Sequence, residues 1–241
     1  MKILIACEYS GRVRDAFNQK GHNAMSCDLL ETDSPGKHYK GDMFNLDLES
    51  FDMIIAHPPC TFLTGAAEWA FDDKPMIQGK PRNIKPGTLI GSARREARED
   101  ALLFVDKIWS LPVKKICIEN PVGVITKRLP YMGKPQYIQQ YWFGENASKK
   151  TGLWLRGLPE LTQTNYIKGR MVCCGQVITD KYGCPDCCGD KKPVYRWANQ
   201  TDSGQNKLPP SKDRWKIRST TPQGIANAMA WQWGGGEYET N

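Results

Sequence analysis

The sequence predicts an α/β fold in which helices cover both faces of a mostly parallel sheet and a smaller, basic lobe follows. Strand-like apolar segments alternate with helical segments over the first 121 residues. A chain of 241 residues is long enough for one domain, or for a large domain with a small insertion. After residue 121 the alternation gives way to segments rich in Pro, Gly and aromatic residues, and this change marks the second lobe.

The predicted elements follow one another in a regular order. Gly21 closes the first helix as a C-terminal cap, and two prolines stop the third strand because proline cannot continue a ladder. Residues 72–91 contain three prolines and three glycines without periodicity, which predicts a long loop of the kind that often forms a lid. Strands are expected at residues 2–7, 23–31, 53–56, 114–121 and 151–158, and helices at 11–21, 92–111 and 221–233.

Positive charge is concentrated in one part of the chain. The formal net charge is +7 overall, but −1 for residues 1–120, +10 for residues 121–220 and −2 for the remaining tail. This distribution is typical of a protein whose second half binds a polyanion. A basic surface without a partner is the alternative that charge alone leaves open.

Hydropathy and cysteine usage indicate a reducing compartment. No apolar run approaches the roughly 20 residues of a membrane span, and the opening segment MKILIAC is typical of a strand rather than of a signal peptide. We therefore expect a cytoplasmic protein without membrane contact. Nine cysteines, an odd number, argue against a disulfide framework there, so clustered cysteines are expected to bind metal or to react.

The turn after the first strand and two later acids predict a nucleoside site. A small-residue turn that opens a helix presents free backbone amides, which favour a carboxylate or a phosphate. Asp28 ends the second strand, where sheets of this class hold ribose hydroxyls, and Asp42 ends the next, weaker segment, where it can accept from an adenine amino group. A plain turn with two solvated acids is the alternative.

Two further strand ends carry residues suited to covalent chemistry. Cys60 follows the third strand at the edge where substrates bind, and a cysteine there is a nucleophile when its thiolate is stabilised. Glu119 ends the next strand and is expected to emerge beside it. A thiol next to a carboxylic acid suits attack on a heteroaromatic ring whose nitrogen is protonated during the attack. A small buried residue is the alternative for Cys60 alone, and His57 has no assigned role.

These pieces, in this order, resemble the DNA cytosine-5 methyltransferase family, and most closely its short phage and prophage branch. The resemblance is carried by IAHPPCTFL, YWFGENASKKTGLWLRGLP and TPQGIANAMAWQWG, and it covers residues 1–70, 92–158 and 214–234. It implies a Rossmann-like, S-adenosylmethionine-dependent catalytic domain of residues 1–158 and 214–241, with a target-recognition insert at 159–213. DNA in a bacterial host cytoplasm is the implied partner, and the oligomeric state stays open, a monomer being compatible with the sequence.

The resemblance also implies a role for each matched residue. Cys60 would add to carbon-6 of a cytosine, Glu119 would hold ring N3 and the exocyclic amine, and the methyl group would move to carbon-5. Lys150, within Ser148-Lys149-Lys150, stands where the family places arginines near the extruded base, with Arg156 as the other candidate. The first turn departs from the family's usual phenylalanine and glycines. The implied cofactor-binding residues are Cys7, Glu8, Tyr9, Ser10, Gly11, Asp28, Asp42 and Pro58.

A cysteine cluster lies within the basic region. Cys184 and Cys187 form a CxxC pair about ten residues after Cys173 and Cys174, a spacing typical of zinc knuckles. Four thiolates hold zinc in a closed site, so the expected zinc is structural. Its expected ligands are Cys173 or Cys174, together with Cys184 and Cys187, and Cys188 is a further candidate. The Arg, Lys and Trp residues around the cluster suit phosphates and unstacked bases.

Other functions fit parts of the sequence. An amino-methyltransferase acting on adenine or cytosine carries a Pro-Pro-aromatic motif at this strand end; residues 57–60 match it only in part, and Glu119 is left without a role. A non-catalytic nucleic-acid-binding protein on a methyltransferase fold is another alternative, against which the presence of both Cys60 and Glu119 argues. A free cytosine nucleotide as substrate is less consistent with the basic region.

Overall fold

A computed structural model describes residues 1–173, 176–178 and 193–235. Helices and strands alternate through the first half of the chain. In chain order the elements are β1 (Lys2–Ala6), α1 (Arg12–Gln19), β2 (Asn23–Asp28), β3 (His38–Lys40), β4 (Met53–Ala56), β5 (Met76–Ile77), β6 (Lys80–Pro81), α2 (Gly91–Trp109), β7 (Lys115–Pro121), α3 (Ile125–Arg128), β8 (Gln136–Gln139), β9 (Lys150–Arg156), β10 (Arg170–Cys173), β11 (Gln176–Ile178), β12 (Val194–Arg196), α4 (Arg214–Ser219) and α5 (Gln223–Trp233).

The central sheet has seven strands in the order β3-β2-β1-β4-β7-β9-β8. The strands from β3 to β7 are parallel, and β9 is antiparallel to both of its neighbours. The order reverses between β1 and β4, and the crevice at the carboxyl ends of those strands is where doubly wound sheets bind ligands. The predicted α/β fold with a central parallel sheet is confirmed.

Strand periodicity divides the core into two layers. Ile3 and Ile5 pack with residues of α1 and α5 on one face of the sheet, and Leu4 packs with residues of α2 on the other. Successive side chains of a strand point to opposite faces, so a strand covered on both sides is apolar throughout. Residues 53–56 are buried without exception for the same reason.

The segment from residue 72 to 109 differs from the prediction in two respects. The loop at 72–91 contains an antiparallel hairpin of β5 and β6. On α2, Val105 and Ile108 are buried as expected, but Ala97, Ala101 and Phe104 are only partly buried, and Arg94 is buried in addition. Its guanidinium lies over the rings of Phe62 and Phe71, at 5.2 and 4.9 Å from their centroids, which compensates for its burial.

A second, antiparallel sheet in the order β11-β10-β12 lies within the predicted insert. Trp197, directly after β12, stacks on Tyr141 with ring centroids 3.8 Å apart and joins this sheet to the segment before β9. Within the described ranges, no helix is both long enough and apolar enough to span a membrane.

Candidate active site

The carboxyl ends of β1, β4 and β7 bring three predicted segments together. The amide of His57 donates to the carbonyl of Ala6, 3.0 Å away, and so continues the pairing of β4 with β1. On its other side β4 pairs with β7 in a register that places Ala56 beside Ile118. Because the next residues along are His57 and Glu119, the register itself sets these two side by side.

His57 and Glu119 form a buried pair. The Nδ1–H group of His57 donates to Oε2 of Glu119 at 3.0 Å, and their side chains are 7% and 17% exposed. Burial acts to lower the pKa of His57, but the hydrogen bond and charge of Glu119 outweigh it and raise that pKa above its ordinary value. For Glu119, burial acts to raise the pKa, and the bond from His57 together with the charge of Lys149 lowers it. Both shifts favour an imidazolium beside a carboxylate in the free protein.

The turn that carries Cys60 is fastened to the strand that carries Glu119. Cys60 is exposed, while Nδ2 of the buried Asn120 donates to the carbonyl of Pro58 at 2.9 Å. Further along, the amide of Val124 donates to the carbonyl of Leu63 at 2.8 Å. Two points of attachment thus hold the Cys60 turn against the residues that follow Glu119.

Close approach of these two segments requires a glycine. A Cβ atom at Gly123 would lie 1.9 Å from the carbonyl oxygen of Leu63, and real Cβ atoms do not come so near. Gly123 and Thr64 also form an isolated antiparallel bridge. The glycine therefore allows the backbone after β7 to lie against the Cys60 turn.

Lys149, rather than Lys150, lies beside Glu119. The Nζ of Lys149 donates to the carbonyl of Arg218 at 3.0 Å, and its charge is one of those that lower the pKa of Glu119. Lys150 is exposed and its Nζ lies 4.3 Å from the ring centroid of Tyr137. Alternation along β9 explains the difference, because Thr151, two residues from Lys149, also hydrogen-bonds Glu119.

Arg156, the other candidate for this role, is a structural residue. Its guanidinium donates to the carbonyls of Trp109, Leu111 and Val113, at the end of α2. It closes the end of that helix and its connection to β7, as basic side chains often do.

The amides at the start of α1 are already occupied, contrary to the prediction of a free anion site. Oε1 of Glu8 accepts from the amide of Val13 at 2.7 Å, and Oε2 accepts from that of Arg14 at 3.3 Å. Ser10 Oγ donates to the same carboxylate, and Gly11 has a φ of 73° that bends the chain back over it. The acid that precedes the helix acts as its own cap, so these amides are not available to a ligand carboxylate.

Cys7, Asp28 and Asp42 lie together at the ends of β1 to β3. Burial raises the pKa of the Cys7 thiol well above its ordinary value, and the charges of Asp28 and Asp42 raise it further. Each aspartate uses Oδ1 to accept a backbone amide, Asp28 from Leu30 and Asp42 from Phe44. Their Oδ2 atoms have no hydrogen bond among the described residues. These two oxygen atoms can therefore accept hydrogen bonds from the hydroxyl and amino groups of a nucleoside.

Tyr9 connects the first turn to the distant end of the chain. Its hydroxyl donates to the carbonyl of Lys216 at 2.7 Å and contacts Ser219 Oγ at 3.0 Å. A cleft beside it is lined by Glu119, Lys149, Thr151 and residues 219–222, which are the end of α4 and its connection to α5. Sequence reasoning missed that segment, and the only signal for it was its position before a helix, TPQG.

Comparison with known proteins shows remote similarity in structure. No protein-family model matches the sequence, and no curated protein matches it significantly. A protein described as a DNA modification methyltransferase encoded within an E. coli prophage is 12% identical, with a TM-score of 0.37, over 64% of this chain. A mutant of Spodoptera frugiperda DNMT2 is 16% identical, with a TM-score of 0.33, over 69% of this chain. S. pombe Dnmt2 methyltransferase is 14% identical, with a TM-score of 0.32, over 66% of this chain.

The chain spans about half of the length of these three proteins, namely 45%, 54% and 50%. With similarity this low, the assignment of function rests on the site.

The cysteines predicted to bind zinc lie mostly beyond the described ranges. Cys173 ends β10 and is buried, whereas Cys174, Cys184, Cys187 and Cys188 lie outside the described residues. Among the residues that are described, no group of three or more His, Cys, Asp or Glu side chains is arranged to hold a metal ion. The zinc site stays a prediction from the sequence.

Proposed function

We propose that this protein transfers a methyl group from S-adenosylmethionine to carbon-5 of cytosine in DNA through a covalent adduct with Cys60. The observation that supports it most is the attachment of an exposed cysteine turn, through Asn120 and Pro58, to the strand that presents Glu119. Addition to a ring that is protonated during the attack requires a nucleophile and a carboxyl group, and one edge of the sheet holds both.

The residues of this chain have distinct tasks in the reaction. The Cys60 thiolate forms a bond to carbon-6. Glu119 takes up a proton from solvent as the base binds and gives that proton to N3, so that the displaced electron pair rests in a neutral ring. Asn120 holds the turn in place, and Lys149 supplies positive charge beside Glu119. Asp28 and Asp42 are the residues that would hold the nucleoside end of S-adenosylmethionine, which supplies the electrophilic methyl group when bound.

Access to a cytosine within a duplex requires extrusion of the base, and therefore a surface that binds DNA. The basic region contains 17 Lys and Arg residues against 7 Asp and Glu between positions 121 and 220. Its tryptophans differ in role: Trp197 is packed in the stack with Tyr141, but Trp215 on α4 is 54% exposed. We propose that Trp215 stacks on an unpaired base.

The structural zinc proposed for the insert is tested by metal content. Purified protein is expected to contain one zinc ion per chain, and the double variant Cys184→Ala/Cys187→Ala none. A wild-type protein purified without chelator and free of zinc would refute the prediction.

The test of the proposed function is product analysis. The protein is incubated with DNA and S-adenosylmethionine labelled in the methyl group, and the DNA is digested to nucleosides. We expect label in 5-methylcytosine, and none with Cys60→Ser. Cys27→Ser, which keeps a donor to the carbonyl of Gly41, is the matched control. Label in an N-methylated base, or equal label with Cys60→Ser, would overturn the proposal.

A further inference from the structure

His57 lies behind Glu119 as seen from the proposed substrate cleft. The cleft is lined by Glu119 but not by His57, whose side chain is only 7% exposed. Its backbone is fixed by the bond to Ala6, and its Nδ1 by the bond to Glu119. Nε2 is buried and has no hydrogen-bond partner among the described residues. The ring is therefore held for its contact with Glu119.

The charged groups around His57 come from three elements. Glu119 on β7 and Glu8 in the turn after β1 favour the protonated ring, whereas Lys149, before β9, opposes it. The carboxylate of Glu8 is engaged by the amides of α1, so Glu119 is the acceptor that the ring contacts directly. A cation at this position stabilises negative charge on Glu119.

We propose that His57 is a positioning residue that orients Glu119 and, as an imidazolium, stabilises the carboxylate that remains after Glu119 has protonated the ring. This inference rests on the proposed function. As sulfur bonds to carbon-6, the carbon-5 to carbon-6 double-bond pair moves between carbons 4 and 5. The π electron pair of the carbon-4 to nitrogen-3 double bond moves to nitrogen-3, which takes the proton of Glu119. The carboxylate so formed keeps accepting from Nδ1–H of His57, which itself transfers nothing.

Two variants separate orientation from charge. His57→Asn retains an N–H donor near the position of Nδ1 but carries no charge, and His57→Leu removes both. The circular dichroism and thermal unfolding of each variant show whether it folds. If His57→Leu does not fold, His57→Asn still tests the charge, because an amide satisfies the hydrogen bond to Glu119.

The measurement is the pH profile of single-turnover methyl transfer by the whole protein. Loss of the cation leaves a buried carboxyl with a higher pKa. Because Glu119 reacts in its protonated form, the inflection at which the rate falls with rising pH is expected to move up by about one pH unit or more in His57→Asn. A purely structural role would lower the rate and leave the inflection in place. An unmoved inflection in a folded, active His57→Asn protein overturns the inference, while the absence of transfer by the wild type refutes the proposed function instead.

A titration without turnover provides an independent readout. The chain has three histidines, and nuclear magnetic resonance resolves the imidazole of each. In Glu119→Gln, His57 is expected to lose its proton at lower pH than in the wild type, because its counter-ion is gone. An unchanged His57 titration in that variant would also overturn the inference.

Discussion

At the scale of single residues, the position along β9 determines which basic group lies beside Glu119. Lys149 and Lys150 are adjacent in sequence, yet only the first lies in the cleft with Glu119. A strand presents alternate side chains to opposite faces, and a shift of one residue exchanges the two lysines. The positive charge that supports Glu119 therefore comes from Lys149.

We predict that Lys149→Gln slows methyl transfer about tenfold or more, because removal of a cation beside a buried carboxylate weakens the stabilisation of negative charge there. Lys150→Gln, the matched substitution, is expected to have less than a twofold effect. Single-turnover rates at saturating DNA measure both. A larger loss with Lys150→Gln would support the sequence-based assignment of Lys150.

The His57 and Glu119 pair makes stability depend on pH. The pKa of Glu119 is lowered from 4.5 and that of His57 is raised from 6.5. The Glu119 contribution is present above pH 4.5 and is lost as pH falls through its lowered pKa. The His57 contribution is present below pH 6.5 and is lost as pH rises through its raised pKa. Both are complete between these two values.

We predict that the unfolding free energy of the wild type exceeds that of His57→Asn most between pH 4.5 and 6.5. The expected difference is on the order of 1–2 kcal/mol, the gain of a charged over a neutral hydrogen bond. Urea unfolding at a series of pH values measures it. A difference that stays constant from pH 5 to pH 9 would show that the pair is not ionised.

At the scale of elements, the contact between the Cys60 turn and the segment after β7 holds the site together. Three features maintain it: the bond from Asn120 to Pro58, the bond from Val124 to Leu63, and the absence of a side chain at Gly123. Because the turn has prolines at positions 58 and 59, it has no helix or ladder of its own to fix it. Its position depends on this contact.

We predict that Gly123→Ala destabilises the protein by about 1–3 kcal/mol, the usual cost of overpacking, and reduces methyl transfer more than stability alone explains. Gly65→Ala is the matched control, because a Cβ atom there meets nothing within 4 Å and its φ is not positive. Urea unfolding and single-turnover rates measure the two effects. Equal behaviour of the two variants would contradict the assigned contact.

At the scale of the whole molecule, the chain combines a nearly neutral α/β half with a strongly basic second half. Arg218 and Trp215 on α4 are exposed and close to the cleft, since the carbonyl of Arg218 accepts from Lys149. This places charge and an aromatic face beside the proposed site. A polyanion that binds there releases counter-ions, so its affinity depends on salt.

We predict that affinity for DNA falls linearly with salt on a double logarithmic scale. Arg218→Gln is expected to reduce the slope by about one, and Trp215→Ala to weaken binding by about 1–3 kcal/mol without a change of slope. Arg128→Gln is the control, because Glu99 already neutralises that guanidinium at 2.6 Å. Fluorescence anisotropy measures these values, and affinity independent of salt would argue against a DNA-binding surface.

Local patterns made the parallel half of the fold predictable, because each buried strand is a short apolar run that can be read without its neighbours. The strand-end rule likewise placed residues 60 and 119 at one sheet edge. Contacts between distant segments were not accessible in this way. The pairing of His57 with Glu119 depends on the rotamers of two side chains on adjacent strands. The cap formed by Glu8 depends on a reversal of the backbone. Whether Lys149 or Lys150 lies beside Glu119 depends on which face of β9 each side chain occupies.

The proposed attack of Cys60 on cytosine is tested by trapping of the adduct. DNA that contains 5-fluorocytosine retains fluorine where a proton must leave, so the covalent complex accumulates. With S-adenosylmethionine present, we expect mass spectrometry to find this DNA attached to the peptide containing Cys60 in the wild type and in Cys27→Ser, but not in Cys60→Ser. Attachment at another residue, or no attachment by a wild-type protein that binds both substrates, would contradict it.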